Sequence, residues 1–123
     1  MAAPTSNASR GAAGRVPGAI YWRVEGSLFE PIHGSAPTLA GKDVANPIGS
    51  ILSATMMLRD TFGLSLEADW VEQSVVRVLN TGVRTADIAE PGKKTVSLSV
   101  FNEMLHDEML RTFEHAEKYG WGV

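Results

Sequence analysis

The chain has 123 residues, 44% of them apolar and 20% charged, with a formal net charge of -3. That is the balance of one soluble globular domain, and its scattered Lys and Arg, outnumbered by acids, argue against a nucleic-acid partner, which needs a clustered basic excess. The absence of cysteine excludes disulfides, thiolate metal sites and thiol nucleophiles. The richest apolar stretch, Ile48 to Leu58, is interrupted by Gly49, Ser50, Ser53 and Thr55, so no segment reads as a membrane span.

Residues 1–24 carry Arg10, Arg15 and Arg23 among Ala, Gly, Ser and Pro, with no Asp, Glu or Lys. Such a segment buries too little apolar surface to order itself and reads as a flexible tail. An organellar transit peptide has a similar composition. Gly11, Gly14, Pro17 and Gly18 leave no room for an amphipathic helix, which favours the tail. The expected location is the cytoplasm, or a mitochondrion or plastid if the segment is a transit peptide.

Residues 25–123 have the texture of a folded segment. Ser27 to Pro31 predicts a short strand ended by proline. Ile32 to Ala45 holds His33, Gly34, Pro37, Gly41 and Asp43, a Gly and Pro density that prevents regular structure and lets a backbone approach a ligand. Asn46 and Pro47 mark a helix start, as cap and first position. Ile48, Ile51, Leu52, Thr55, Met56, Leu58 and Phe62 give that helix a broad apolar surface, and Gly63 stops it. Charge is almost missing before Arg59, which predicts burial around most of its circumference.

A second helix is predicted from Ser65, with Leu66, Trp70, Val71, Val75, Val78 and Leu79 on one face and Gly82 at its end. Gly82 to Ile88 is either a short strand or an extended loop, and Glu90 to Lys94 is a turn. A third helix begins near Ser97, with Phe101, Leu105, Met109 and Phe113 as its stripe and Gly120 at its end. Glu108 with Arg111, and Glu114 with Lys118, are spaced for surface pairs. His106 and His115 lack metal-ligand spacing and read as surface residues. The fold class is α/β, mostly helical, with three helices and one or two short strands. A single strand cannot make a sheet, so strand partners must come from elsewhere.

The stretch from Leu28 to Pro47, LFEPIHGSAPTLAGKDVANP, resembles the adenosine-binding loop of the isocitrate/isopropylmalate dehydrogenase family, whose pattern is E-P-x-H-G-S-A-P-D-I-A-G-K-x-x-A-N-P. The likeness continues through Ile51 to Arg59 and reaches Gly82-Val83-Arg84-Thr85-Ala86-Asp87-Ile88, similar to the family's R-T-A-D-I segment. Glu30-Pro31 with Ser35, and Arg84 to Asp87, look most like the isopropylmalate dehydrogenases. The resemblance implies a partial domain of that family, its C-terminal cofactor-binding part, within an oxidoreductase that decarboxylates 3-isopropylmalate oxidatively in leucine biosynthesis. A non-catalytic dinucleotide-binding or dimerisation module, or part of a related isocitrate, D-malate or tartrate dehydrogenase, is the alternative.

The implied cofactor is NAD, and the implied partners are the dinucleotide and a second copy or a full-length paralogue. By resemblance, His33 packs along the adenine and its ribose, and Gly34, Ser35 and Ala36 present backbone to the adenosine half. Asn46 reads the adenine edge, Glu30 lies toward the nicotinamide, and Asp87 sits in a motif near the cofactor. Without the motif, His33 is an ordinary loop histidine, Asn46 a helix cap, and Asp87 a residue that holds its own turn. Thr38 departs from the family, whose NAD-using members have Asp there and whose NADP-using members tend to have Lys followed by Tyr. Losing a charge-assisted hydrogen bond costs on the order of 1.5–3 kcal/mol, or roughly tenfold to a hundredfold in affinity. The expectation is weakened cofactor binding with poor NAD/NADP discrimination.

The family's reaction also uses Mg2+ or Mn2+ held by aspartates, arginines for the substrate carboxylates and a Lys/Tyr pair for proton transfer. In the family these lie upstream of the matched region. Here residues 1–24 contain no aspartate, so no catalytic residue or metal ligand is assigned. Gly14 to Ala19 is similar to the family's G-x-L-P-S-A loop, and Thr5-Ser6-Asn7 to the T-S-N that precedes its metal aspartates. The expectation is a truncated homologue, inactive alone, whose apolar faces around Ile51, Met56, Trp70 and Val75 lack a partner.

Overall fold

A computed structural model describes residues 27–120. The expected tail and the motifs at 5–7 and 14–19 lie outside the described residues. The described chain forms two compact units, 27–35 with Ile48–Ala68, and Ala36–Pro47 with 69–120.

In the first unit the strand predicted at Ser27 to Pro31 does not form: residues 27–30 have no regular structure and Pro31 carries only an isolated bridge. Proline has no N–H with which to extend a ladder. Helix α1 (Ile48–Asp60) begins one residue after Pro47, the expected first position. Its buried residues are Leu52, Ser53, Thr55 and Met56, while Ser50 and Ala54 are exposed. The buried face is therefore narrower than the scarcity of charge predicts. The two buried hydroxyls bond within the helix, Ser53 to the Gly49 carbonyl at 2.8 Å and Thr55 to the Leu52 carbonyl at 2.7 Å. Self-satisfied hydroxyls of this kind let polar residues join an apolar face.

Gly63, at φ 66, turns the chain so that the Leu64 amide donates to the Leu58 carbonyl at 2.8 Å and closes the helix. Phe62, predicted on the apolar face, is 60% exposed because it lies beyond the last helical turn. Helix α2 (Ser65–Asn80) starts in this unit with Ala68 fully buried. Leu66, also predicted on the buried face, is 58% exposed. The buried row runs through Ala68, Val75 and Val78, with Val71 half-buried, and Leu66 stands on the far side of the helix from it.

The second unit opens with a single 3-10 turn at Pro37–Leu39, inside the loop where no regular structure was expected. Proline suits its first position because it has no donor to lose. In the rest of α2, Trp70 donates its indole N–H to the Thr112 hydroxyl at 2.7 Å, and its ring centroid is 5.8 Å from that of Phe113. Gly82 to Ile88 proves to be both strand and turn: β1 (Val83–Arg84), then a 3-10 turn at Ala86–Ile88. β1 pairs in parallel with β2 (Lys94–Thr95), Val83 opposite Lys94 and Arg84 opposite Thr95.

Helix α3 (Leu98–Tyr119) is capped by Ser97, whose hydroxyl accepts from the Val100 amide at 3.2 Å. Phe101 and Leu105 are buried as predicted, Met109 and Phe113 half-buried, and Ala116 extends the stripe. Glu108 pairs with Arg111 at 2.8 Å, as its spacing predicts. Lys118, expected beside Glu114, instead holds Nζ 5.1 Å from the Tyr119 ring centroid. Met56 and Val75, expected to lack a partner, are 4% and 3% exposed, and Ile51 and Trp70 are half-buried. Apolar side chains shed water wherever an apolar neighbour is in reach. Among the described residues, no helix is long and apolar enough to cross a membrane.

Candidate functional site

Glu30, His33, Gly34 and Ser35 belong to the first unit and are exposed. The His33 Nδ1 lies 2.9 Å from the Gly34 carbonyl oxygen. A carbonyl only accepts, so Nδ1 carries the hydrogen, and in the neutral ring Nε2 is the acceptor. The ring lies on the first turn of α1. A β-carbon added at Gly49 would stand 3.2 Å from Nε2 and 3.3 Å from Cδ2 of His33. The sequence treats Gly49 only as a break in an apolar run. A glycine inside a first helical turn, where no cap requires it, was the signal of a close approach.

Ala36, Thr38, Asn46 and Asp87 belong to the second unit. Ala36 is left-handed, at φ 44 and ψ 62, a conformation that costs a non-glycine residue on the order of 1 kcal/mol. Strain of this kind concentrates where a loop is held to one shape. Thr38 sits exposed in the 3-10 turn that follows. Asn46 and Asp87, 41 residues apart, are brought together: the Asn46 Nδ2 donates to Asp87 Oδ2 at 3.1 Å. The other oxygen of that carboxylate accepts the Thr85 hydroxyl at 2.6 Å, and Thr85 is fully buried. Thr85 is a site residue that sequence reasoning missed, although it stands in the motif with Asp87.

Arg84 steadies the backbone beneath this turn. Its Nη1 donates to the Leu79 and Val83 carbonyls, both at 2.7 Å, and its Nε to Glu90 at 2.9 Å. The Leu79 carbonyl belongs to the last turn of α2, so the guanidinium also caps that helix.

Asp43 was also missed. It is left-handed at φ 56, and its carbonyl accepts from the Leu98 amide at 2.9 Å. Its Oδ1 accepts from the Ser99 hydroxyl at 2.8 Å and the Ser99 amide at 2.9 Å. The carboxylate thus sits on the N-terminus of α3, where free amides and the helix dipole favour negative charge. The Ser99 hydroxyl and then the Ser99 amide hold the Asp43 carboxyl below its ordinary value. Among the described residues, no three His, Asp or Glu side chains gather to hold a metal ion.

The arrangement offers a loop whose far end is pinned by Asp43 and, in the same unit, an amide whose orientation is set by a carboxylate. An amide so held presents a donor and an acceptor side by side, the complement of a flat heteroaromatic edge.

The model of the isocitrate/isopropylmalate dehydrogenase family matches residues 5–105, a range that takes in both short N-terminal motifs. The chain is 51% identical over 83 residues to the 3-isopropylmalate dehydrogenase of Paramagnetospirillum magneticum, covering 68% of this chain and 22% of that protein. It is 50% identical over 97 residues to that of Geobacillus kaustophilus, covering 79% and 25%. Against that of Nitratidesulfovibrio vulgaris it is 54% identical over 86 residues, covering 70% and 24%. The chain thus spans about a quarter of the length of these curated relatives.

Proposed function

Because this chain belongs to the isocitrate/isopropylmalate dehydrogenase family, we propose that it binds the adenosine half of NAD, as the cofactor side of a 3-isopropylmalate dehydrogenase. The observation that carries this reading is the Asn46 amide held against Asp87 at 3.1 Å, beside a loop kept in one strained shape by Ala36 and Asp43. A preshaped loop with an oriented amide loses little freedom on binding, which is how a small contact area gives useful affinity.

His33, its Nδ1 committed to Gly34, offers the ring face and Nε2 to adenosine. Gly34, Ser35 and Ala36 offer backbone, and Glu30 faces the nicotinamide half. Thr38 offers a hydroxyl where a carboxylate would grip both ribose hydroxyls and repel a 2′-phosphate, so binding is weak and discriminates poorly between NAD and NADP.

NAD supplies hydride acceptance when bound, and the described residues bind and orient it. They do not fit the divalent ion that oxidative decarboxylation by such an enzyme requires, since no three acids or histidines among them converge. Oxidation of 3-isopropylmalate and a place in leucine biosynthesis are proposed only for an enzyme whose cofactor side this segment forms, the described residues being inactive alone, and assembly as a dimer belongs to the same proposal.

The experiment is a thermal melt of the chain with and without NAD or NADP. A ligand that binds only the folded state raises the midpoint, by about 2.7 kcal/mol of stability at a concentration a hundred times Kd. A midpoint unmoved by either dinucleotide at millimolar concentration sinks the proposal.

A further inference from the structure

We infer that Asp43 straps the loop Ala36–Pro47 to helix α3, so that the loop and the first turn of that helix open and close as one unit. The inference stands whatever ligand the loop receives.

An α-helix begins with amides that no carbonyl of its own can satisfy. In α3 these are the amides of Leu98, Ser99 and Val100, since the Phe101 amide already donates to the Ser97 carbonyl at 3.0 Å. The Ser97 hydroxyl takes that of Val100 at 3.2 Å. The other two go to Asp43: Leu98 donates to its carbonyl at 2.9 Å, and Ser99 to its Oδ1 at 2.9 Å. The Ser99 hydroxyl donates to the same oxygen at 2.8 Å. No acid stands in the first turn of α3, and Val100, at its third position, has no polar group to reach back to Ser97. The helix therefore takes two of its three caps, and the negative charge that its N-terminus favours, from a residue 56 positions before Ser99.

The loop depends on the helix in turn. Its own hydrogen bonds are short in span: the Leu39 amide to the Ala36 carbonyl at 2.9 Å, Ala40 to Pro37 at 3.3 Å, and Lys42 to Leu39 at 3.2 Å. Such bonds shape a turn but do not fasten it to its surroundings. The next residue is Asp43, left-handed at φ 56, a conformation that side chains rarely adopt unless held. What holds it is the first turn of α3. Fraying that turn frees Asp43, and releasing Asp43 strands the amides. Two elements that complete each other share one opening equilibrium. By linkage, whatever orders the loop also orders the start of α3.

The test reads trypsin cleavage of the full chain after Lys42, an exposed loop residue, as a ratio to cleavage after Arg59 in α1. Cleavage of a transiently opened site tracks the open population, and the ratio removes the share due to global unfolding. Ser99→Ala takes a donor from Asp43 while adding a better helix former. Val100→Gly weakens the first turn of α3 at an exposed residue that hydrogen-bonds to Ser97 and not to the loop. Both should raise the ratio several-fold, the first despite its gain in helix propensity. In the other direction, Asp43→Gly keeps the left-handed backbone without the carboxylate. Hydrogen exchange should then quicken several-fold at the Val100 amide as well as at Ser99, as the loss of a helix cap implies. Asp43→Asn, with an acceptor but no charge, should fall between. A Lys42 ratio that Val100→Gly leaves unchanged, or Val100 exchange that Asp43→Gly leaves unchanged, means two independent elements and overturns the inference. So does wild-type cleavage after Lys42 as fast as in the urea-unfolded chain.

Discussion

The His33 imidazole lies directly on the backbone of Gly49, so close that a β-carbon there would stand 3.2 Å from Nε2. A loop residue of the resemblance motif and a glycine of α1 thus form one contact that neither position announces alone.

Gly49→Ala should therefore separate stability from binding. Alanine inside a helix gains roughly 0.5–1 kcal/mol over glycine. The clash is with the edge of an exposed ring, which can move aside by a few tenths of an ångström. Thermal melts without ligand should show an unchanged or slightly raised midpoint, while NAD affinity falls several-fold as His33 is displaced. Joint loss of both would mean that His33 cannot yield and that the contact serves packing.

Thr38→Asp should restore a ribose-gripping carboxylate at an exposed position. The added charge-assisted hydrogen bond is worth on the order of 1.5–3 kcal/mol, so NAD should bind roughly tenfold to a hundredfold more tightly. NADP should gain nothing or weaken, because the new charge repels its 2′-phosphate. Calorimetric titration with both dinucleotides decides it, and equal gains for the two would refute the assignment of position 38.

Asp43 ties stability to acid pH. Its carboxyl is held below its ordinary value, first by the Ser99 hydroxyl and then by the Ser99 amide. A group with a depressed folded value contributes stability that is present above its unfolded value, about 4, and is lost as pH falls through the folded value. Wild type should exceed Asp43→Asn in melting temperature at about pH 6, and the gap should close as pH drops toward about 3. A gap constant over that range would show that the ionised carboxylate is not what holds the loop to α3.

Arg84→Lys tests the support beneath the Thr85–Asp87 turn. Lysine keeps the charge but cannot reach Leu79, Val83 and Glu90 together as the guanidinium does at 2.7, 2.7 and 2.9 Å. The expected loss is about 1–3 kcal/mol in denaturant unfolding, with a further drop in NAD affinity as the turn loosens. A variant with wild-type stability would reduce Arg84 to an ornament of the surface.

The helices were legible in the sequence because their signals are local. Pro47 and Gly63 bracket α1, Ser65 and Gly82 bracket α2, and Ser97 and Gly120 bracket α3. The rows through Val75 and Val78, and through Phe101 and Leu105, repeat at the helical period and are buried as predicted. The same local rules failed at their edges. Phe62 and Leu66 stand at the α1–α2 junction, where period no longer dictates a face, and Ser27 to Pro31 has strand composition but forms no strand.

What the chain order alone determined, then, is which segments are helical, where they stop, and that a glycine- and proline-rich loop resembling the family's adenosine-binding loop lies before α1. What only the tertiary structure decided is who holds whom: Asn46 against Asp87 across 41 residues, and Asp43 against Ser99 across 56. Propensity and periodicity are set by neighbours within a turn or two of chain, whereas a hydrogen bond is set by distance and angle in space. Separations of that length become contacts only after the helices have packed.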